Sequence, residues 1–255
     1  MVIPNPVIPF RAKQPELSVF LPAYGEAENL NELLPRIKKV IADLGISAQI
    51  TVVDAPEPID NTAIICGQNE VNHLHRQGGN RYGDAVRTGI LASTGQFIIS
   101  MDSDGSHNPE FIRELWTHRQ EAEVVIASRY IHGGVTENPW TLVAMSRLLN
   151  IIFRLIIGLP AYDISNSFRL YRGDLLRSIH PKYANFDVLE EILVRMLWEN
   201  PSRAAKILEI PFRFEQRKHG KPKRKLIVFG IQFVLALVKL SFLRIRNQFN
   251  PKGDQ

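Results

Sequence analysis

Two aspartates one residue apart, Asp102 and Asp104, are the side chains in this sequence most suited to chemistry. They follow an apolar run in the stretch FIISMDSDGSHNPEF (residues 97–111). An acidic pair at a strand end places two carboxylates about 6–7 Å apart on one face, within reach of one cation. Mg²⁺ and Mn²⁺ prefer such oxygen ligands and are often shared with substrate phosphates. The pattern predicts a site for Mg²⁺ or Mn²⁺, although these aspartates could instead cap the helix that begins at Pro109.

The elements around this pair predict an α/β fold with a parallel sheet between layers of helices. Apolar runs of strand length alternate with helical repeats along the first half of the chain. The predicted strands cover 17–24, 48–55, 95–104 and 123–130, and the predicted helices cover 26–45, 82–94 and 109–120. Strands that are apolar throughout are typical of a parallel sheet buried on both faces.

Polar side chains gather where those strands end. Ligands of such sheets bind beyond the carboxyl ends of the strands. The residues at these ends are Tyr24, Glu26, Asp54, Asp102, Asp104, Ser128 and Arg129. Their convergence predicts a single binding site at that edge of the sheet.

The second half of the chain is more apolar and carries an uneven positive charge. Helical patterns at 141–160 and 186–200 precede a strand pattern at 205–216. Seven of the residues from Arg213 to Lys225 are Lys or Arg, against one acid, within a chain of net charge +5. Such a cluster favours a polyanionic partner: a phosphorylated substrate, an anionic lipid surface or nucleic acid. Nucleic acid is the least favoured, because the cluster lacks interleaved aromatic residues for base stacking.

The last apolar run, residues 226–246, has about the length of a bilayer-spanning helix. Gln232 and Lys239 interrupt it, and basic residues flank it at both ends. These features favour an interfacial helix lying at headgroup depth. A subunit interface in a homo-oligomer and a true membrane span are the alternatives.

The remaining composition predicts a cytoplasmic protein at the cytoplasmic face of a membrane. The single cysteine, Cys66, excludes an internal disulfide and fits a reducing compartment. The proline-rich residues 1–16 lack the charged-then-apolar order of a signal peptide and are interpreted as an extended lead-in.

Six segments, in order, resemble family 2 glycosyltransferases, and the branch they most resemble is the dolichyl- and polyprenyl-phosphate mannosyltransferases. The segments are LPAYGEAENL, VVDAPEPIDNT, GGNRYGDAVRTGILASTGQFIISMDSDGSHNPEFI, VVIASRY, DISNSFRLYRGDLL and EIPFRFEQRKHGKPK. The resemblance implies a GT-A fold, a nucleotide-sugar donor, a divalent metal and inversion at the anomeric carbon. It divides the chain into the lead-in, a GT-A domain at 17–225 and an amphipathic helix and tail at 226–255.

The resemblance also implies roles for individual residues. Those matching the nucleotide-binding positions are Pro22, Ala23, Tyr24, Glu26 and Asp54, with Ser128 and Arg129 as a serine–arginine pair behind the site. Those matching the metal and diphosphate positions are Asp102 and Asp104, with Ser106 at a position that sometimes provides a third ligand. Asp163 matches the acid that opens the acceptor-side motif, and Arg217 and Lys223 match a basic loop. The departures from the family pattern include Gly25, Ala55, Ser167 and Pro222.

The charge on a leaving nucleoside diphosphate gives these residues a physical role. Metal on Asp102 and Asp104, with cations such as Arg217 and Lys223, would stabilise that charge by several kcal/mol. A lipid phosphate acceptor needs no general base, because its second pKa of about 6 leaves it ionised near neutral pH. A hydroxyl acceptor needs a proton acceptor, for which Asp163 is the candidate.

The sequence therefore predicts transfer of a hexose, with mannose from GDP-mannose as the first choice, to a polyprenyl phosphate at a membrane face. One alternative is a UDP-sugar-dependent transferase that acts on a glycan or small-molecule hydroxyl. The other is a non-catalytic nucleotide-sugar-binding homologue or partner subunit, which the departures from the family pattern suggest.

Five further residues are expected to have structural roles. His107 and His219 have no partner histidine at metal-binding spacing and are interpreted as loop residues. Glu190 and Glu191 are interpreted as a solvated helix edge, although one of them could face the acceptor. Gly89 is expected to allow close packing of a helix on a strand.

Overall fold

The computed structural model describes residues 14–199, 205–217, 219, 235, 237–242 and 244–245. Most of the lead-in and of the run 226–246 lies outside the described residues, as do Pro222 and Lys223.

A sheet of seven strands forms the centre of the described part of the chain. The strands of both sheets are β1 (Leu17–Pro22), β2 (Ala48–Asp54), β3 (Asn72–His75), β4 (Phe97–Ser100), β5 (Val124–Ser128), β6 (Val135–Thr136), β7 (Arg169–Arg172), β8 (Ile207–Pro211) and β9 (Arg213–Phe214). The large sheet has the order β3-β2-β1-β4-β7-β5-β8, and β6 pairs with β9 separately. Among the described strands of the large sheet, only β7 runs antiparallel to its neighbours. The predicted mostly parallel sheet is confirmed.

Helices cover both faces of this sheet. They are α1 (Ala27–Leu44), α2 (Thr62–Gln68), α3 (Tyr82–Ala92), α4 (Ile112–Thr117), α5 (Trp140–Ile157), α6 (Gly173–Ser178) and α7 (Val188–Trp198), and a 3₁₀ turn at Pro109–Phe111 precedes α4. One apolar cluster joins the sheet to α1, α2 and α4, and the other joins it to α3, α5, α6 and α7. A Cβ at Gly89 of α3 would overlap the ring of Phe20 on β1, which confirms the predicted close packing.

Strand β4 is shorter than predicted, because it ends at Ser100 and not at residue 104. Asp102 and Asp104 lie in the following loop, where Gly105 has a φ of 82°. That left-handed backbone favours glycine and turns the chain. The expectation that the two carboxylates project from one face of a strand is therefore wrong, and the loop sets their positions.

The strand predicted at 205–216 is divided into β8 and β9, which belong to different sheets. Between them Phe212 is buried, and its backbone N–H donates to the carbonyl of Ser128 at 2.8 Å. Further on, the N–H of Glu215 donates to the carbonyl of Ser106 at 3.1 Å. These bonds carry the chain across the carboxyl edge of the sheet, toward the acidic pair.

The described part of the C-terminal segment is helical and packs on the domain. Leu240 is fully buried in the same apolar cluster as Phe153 of α5. Arg244 donates to the carbonyl of Ile156 at 2.9 Å. The domain boundary at 225/226 stays a prediction.

Candidate active site

Three charged side chains from distant segments meet at the carboxyl edge of the sheet. Nη2 of Arg217 lies 3.0 Å from Oε1 of Glu26 and 3.2 Å from Oδ2 of Asp104. Glu26 follows β1, Asp104 follows β4 and Arg217 follows β9. The structure thus brings three of the predicted site residues together and sets a cation beside the acidic pair.

The carboxylate of Asp104 is stabilised in its ionised form. Its Oδ1 accepts hydrogen bonds from the backbone N–H of Ser106 at 3.1 Å and from the Ser106 hydroxyl at 2.6 Å. Burial by itself would raise the pKa of Asp104, but the hydrogen bonds from Ser106 and the charge of Arg217 outweigh it, so that this pKa lies below its usual range. Ser106 is a hydrogen-bond donor here, and its role as a metal ligand stays a prediction.

Asp102 is held through both its side chain and its backbone. The hydroxyl of Tyr82 donates to Oδ1 of Asp102 at 3.1 Å. Tyr82 begins α3 and stacks on Phe186 with 4.2 Å between ring centroids. The backbone N–H of Asp102 donates to Nδ1 of His107 at 3.0 Å. An aromatic residue at the start of α3 was the only sequence signal for the Tyr82 contact.

His107 is more than the loop residue that was expected, because its ring is fully buried. Its Nε2 lies 3.1 Å from Oδ1 of Asn166. Since a backbone N–H can only donate, Nδ1 must accept, and the ring proton is therefore on Nε2. Burial lowers the pKa of His107, which favours this neutral form.

Arg129 and Asp163 form a buried ion pair behind the site. Oδ2 of Asp163 accepts from the backbone N–H and from Nε of Arg129, both at 2.8 Å, and Oδ1 accepts from Nη2 at 2.7 Å. Burial by itself would lower the pKa of Arg129, but the Asp163 carboxylate outweighs it and the pKa is raised. Both oxygens of a fully buried carboxylate are therefore occupied. These contacts favour a structural role for Asp163, and its predicted catalytic role is untested.

Asp54 lies at the end of β2, among basic residues of the neighbouring strand. Its Oδ2 is 3.3 Å from Nε2 of His73. Arg76, just after β3, is buried and donates from Nε to the carbonyl of Asp54 at 3.1 Å and from Nη2 to the carbonyl of Ala23. Its guanidinium lies 5.6 Å from the centre of the Tyr24 ring. Sequence reasoning missed Arg76, for which an arginine directly after a strand was the only signal.

The end of β1 is joined to the acidic loop. The carbonyl of Pro22 accepts from the hydroxyl of Ser103, between the two aspartates, at 2.7 Å. The side chain of Tyr24 is exposed at this edge. Gly25 has a φ of 64°, a left-handed conformation that asparagine also adopts readily. The departure at Gly25 is therefore compatible with the turn at this position.

The surroundings of Ser128 and of the Glu190–Glu191 pair differ from those expected. Ser128 is fully buried, and its hydroxyl hydrogen-bonds to Glu209. Its nucleotide-binding role stays a prediction. Glu190 and Glu191 are both buried, so the interpretation as a solvated edge is wrong for both. Glu191 accepts from the N–H of Tyr183 at 2.7 Å and pairs with Arg195 at 2.7 Å.

The acidic loop has the ligand chemistry of a hard divalent cation. Asp102 and Asp104 offer carboxylate oxygens, which Mg²⁺ and Mn²⁺ prefer. Among the described residues, no group of three or more His, Cys, Asp or Glu side chains could hold a metal ion. A pair of carboxylates with other positions left for water and phosphate fits a cation shared with substrate, as Mg²⁺ commonly is.

Sequence comparison identifies a family and named relatives. Residues 18–179 match the model of glycosyl transferase family 2. The dolichol-phosphate mannosyltransferase of Pyrococcus furiosus is 29% identical over 219 residues, which cover 82% of this chain and 59% of that protein. The polyprenol monophosphomannose synthase of Mycolicibacterium smegmatis is 27% identical over 220 residues, with 80% and 79% coverage. The chain thus spans less than two thirds of the Pyrococcus relative.

Solved structures share the fold. Glucosyl-3-phosphoglycerate synthase from Mycobacterium tuberculosis, in complex with Mn²⁺, UDP and glucosyl-3-phosphoglycerate, superposes with a TM-score of 0.66 at 18% identity, covering 89% of this chain and 80% of that one. The same enzyme with Mg²⁺ and UDP also gives a TM-score of 0.66 at 18% identity, with 89% and 79% coverage. These likenesses confirm the predicted GT-A fold.

Proposed function

Because the chain belongs to glycosyl transferase family 2, we propose that it transfers a hexose from a nucleotide-sugar to a polyprenyl phosphate. The names of the Pyrococcus and Mycolicibacterium relatives support mannose as the sugar and a polyprenyl phosphate as the acceptor. GDP-mannose is accordingly the first donor to test.

The observation that carries this proposal is the cation beside the acidic pair. Arg217 contacts both Glu26 and Asp104. When a donor binds, its diphosphate would become the new partner of the guanidinium, which can stabilise the charge that develops on the leaving group. Asp102 and Asp104 would hold a Mg²⁺ or Mn²⁺ ion, which would supply further positive charge to the leaving group. Lys223 is proposed to stabilise the same charge on the leaving group.

The acceptor chemistry agrees with the surroundings of Asp163. A phosphate monoester with a second pKa of about 6 is already ionised near neutral pH and attacks without losing a proton to the enzyme. Both oxygens of Asp163 are bonded to Arg129. A phosphate acceptor therefore does not require Asp163 as a general base, whereas a hydroxyl acceptor would.

Exposed apolar helix faces support peripheral contact with a membrane. Among the described residues, α5 is the one helix long and apolar enough to cross a membrane. One of its faces is buried in the domain through Phe153 and Ile157, so a position along the interface suits it better than a span. Its exposed side chains include Trp140, Leu148, Ile151 and Leu155, with Arg147 and Arg154 also exposed.

The C-terminal segment has a similar face. Among its described residues, the large apolar side chains that are exposed are Leu235, Val238, Phe242 and Ile245, at intervals of three and four residues. Such spacing places them on one side of a helix. These two surfaces, at a cytoplasmic membrane face, are the proposed contact with the bilayer that holds the acceptor. A homo-oligomer that buries them is the competing outcome.

A donor panel tests the proposal. Purified protein in mild detergent is incubated with Mn²⁺ or Mg²⁺, polyprenyl phosphate and GDP-mannose, UDP-glucose, UDP-GlcNAc or UDP-galactose, each with and without EDTA. The proposal predicts an EDTA-sensitive glycolipid from GDP-mannose. Release of nucleoside diphosphate without a glycolipid would move the acceptor to another class. Nucleotide binding with no turnover of any donor would support a non-catalytic binding protein.

A further inference from the structure

A buried chain of hydrogen bonds connects segments at three strands of the central sheet, β4, β7 and β5. The N–H of Asp102, after β4, donates to Nδ1 of His107 at 3.0 Å. Nε2 of His107 donates to Oδ1 of Asn166, before β7, at 3.1 Å. Nδ2 of Asn166 then donates to the carbonyl of Ala127 in β5. Every link lies between residues that are buried or partly buried, so water competes weakly for these bonds.

Burial of the polar His107 ring among aromatic side chains has a desolvation cost. The ring stacks on Phe168 with 4.8 Å between centroids, and the rings of Phe212 and Phe214 lie edge-on at 6.0 Å and 5.6 Å. An apolar ring would fill such a cage without the desolvation cost of two nitrogens. Here both nitrogens are used, one as acceptor and one as donor, so the ring has a single orientation. Packing alone does not explain that directional arrangement.

The two ends of the chain lead to different parts of the proposed reaction. Nδ1 fixes the backbone of Asp102, and therefore the direction from which its carboxylate approaches the cation and diphosphate. Nε2 fixes Asn166, which follows Ser165, and the hydroxyl of Ser165 accepts from Arg129 at 3.0 Å. Asn166 thus belongs to the segment that begins at Asp163 and resembles the family's acceptor-side motif.

We propose that His107 is a positioning residue that couples the metal-binding loop to the acceptor-side segment. Nδ1 sets the geometry of the metal-binding loop, and Nε2 sets that of the acceptor-side segment. The inference rests on the proposed function, because the roles of the two segments do. It assigns no proton transfer to the imidazole, which acts through Asp102 and Asn166.

Two substitutions separate the two nitrogens. His107→Asn retains an acceptor near the position of Nδ1 but cannot reach Asn166. His107→Gln retains an amide donor near the position of Nε2 but has no acceptor for the N–H of Asp102. Both remove the stacked ring, so each variant is the control for the other in packing and stability.

The readouts are Mn²⁺ binding and the KM for polyprenyl phosphate. Mn²⁺ binding is measured from the electron paramagnetic resonance of the free ion, with GDP or UDP present and no acceptor. His107→Gln is expected to weaken Mn²⁺ binding about 10-fold or more, as loss of a partner behind a metal ligand typically does. His107→Asn is expected to bind Mn²⁺ nearly as the wild type does and to raise the KM for polyprenyl phosphate several-fold.

The outcomes separate this inference from the proposed function. If wild-type protein binds Mn²⁺ but both variants change both readouts equally, His107 only fills space and the coupling is refuted. If wild-type protein binds neither Mn²⁺ nor nucleotide, the proposed function fails first. Should either variant not fold, Asn166→Ala provides the second measurement. Coupling predicts a raised KM for the lipid from this variant, and an unchanged KM overturns it.

Discussion

The buried pair of Arg129 and Asp163 offers a quantitative prediction for Asp163→Asn. The substitution preserves the shape of the side chain but removes its charge. Three N–H groups of Arg129 now donate to the two carboxylate oxygens at 2.7–2.8 Å. An asparagine has one oxygen to accept them, and its NH₂ group would face donors. Breaking a buried ion pair on one side costs roughly 3–5 kcal/mol.

The assay is thermal unfolding followed by circular dichroism. For chains of about 150–250 residues, 1 kcal/mol shifts the midpoint by roughly 2–4 °C. Asp163→Asn should therefore lower the midpoint by about 6–20 °C. The matched control is Glu137→Gln, which breaks the exposed pair of Glu137 with Arg213 at 3.0 Å. Its midpoint should stay close to that of the wild type, because exposed ion pairs contribute little.

A different result would refute this reasoning. If Asp163 were the proton acceptor for a hydroxyl substrate, Asp163→Asn would lose about 10²–10⁴-fold in kcat with a nearly unchanged midpoint. That combination would restore the catalytic role and reject the structural one.

The remaining predictions concern the leaving group, the membrane and pH. Arg217→Ala should lose about 10²–10³-fold in kcat, as removal of one donor to a developing charge typically does. The control is Arg213→Ala, at an exposed position in β9, which should retain the wild-type kcat. Equal losses of kcat in the two variants would show that Arg217 does not act in the site. Leu155→Asn should reduce sedimentation of the protein with anionic vesicles. The control is Ile64→Asn, on the opposite face of the sheet, because the two side chains are similarly exposed, at 77% and 59%. Equal vesicle binding by the two variants would exclude α5 from the membrane contact. Burial raises the pKa of Glu209 above 4.5, so the folded chain holds this proton longer and its stability falls as pH rises through the raised pKa. The unfolding free energy of Glu209→Gln relative to wild type should therefore increase as the pH rises from 4.5 through the raised pKa of Glu209 in denaturant titrations, and a flat difference would contradict the raised pKa.

The position of the site could be predicted because it follows from hydrophobic pattern alone. The runs at 17–24, 48–55 and 123–130 are mostly apolar, which indicates buried parallel strands. Polar residues at the ends of such strands must then share one edge. The hydrophobic pattern therefore predicts that Glu26 and Asp104 lie at the same edge of the sheet, where both contact Arg217.

Antiparallel β7 could not be predicted in the same way. Its sequence, RLYR, is short and begins with Arg169, which is nevertheless fully buried. The guanidinium of Arg169 donates to the carbonyl of Leu189 at 2.9 Å, and Leu189 belongs to α7. A tertiary partner thus overrides the local preference of arginine for the surface, and no pattern within four residues contains that information.

The contacts of His107 and Glu191 were missed for a related reason. His107 meets Asn166 across 59 positions of the sequence. Glu191 is satisfied by backbone N–H groups of Lys182 and Tyr183, which any residue type could supply. Spacing rules identify residues that share a face, but they do not identify a buried polar group whose partners are backbone atoms or lie far along the chain.

Transfer of mannose to the phosphate of a lipid is the central claim, and a paired acceptor assay tests it most directly. Purified protein in detergent receives labelled GDP-mannose and Mn²⁺, with either polyprenyl phosphate or the matching polyprenol. We predict a labelled glycolipid from the phosphate, none from the alcohol, and none with Asp104→Ala. Labelled product from the alcohol, or from the phosphate with Asp104→Ala at the wild-type rate, would contradict the account.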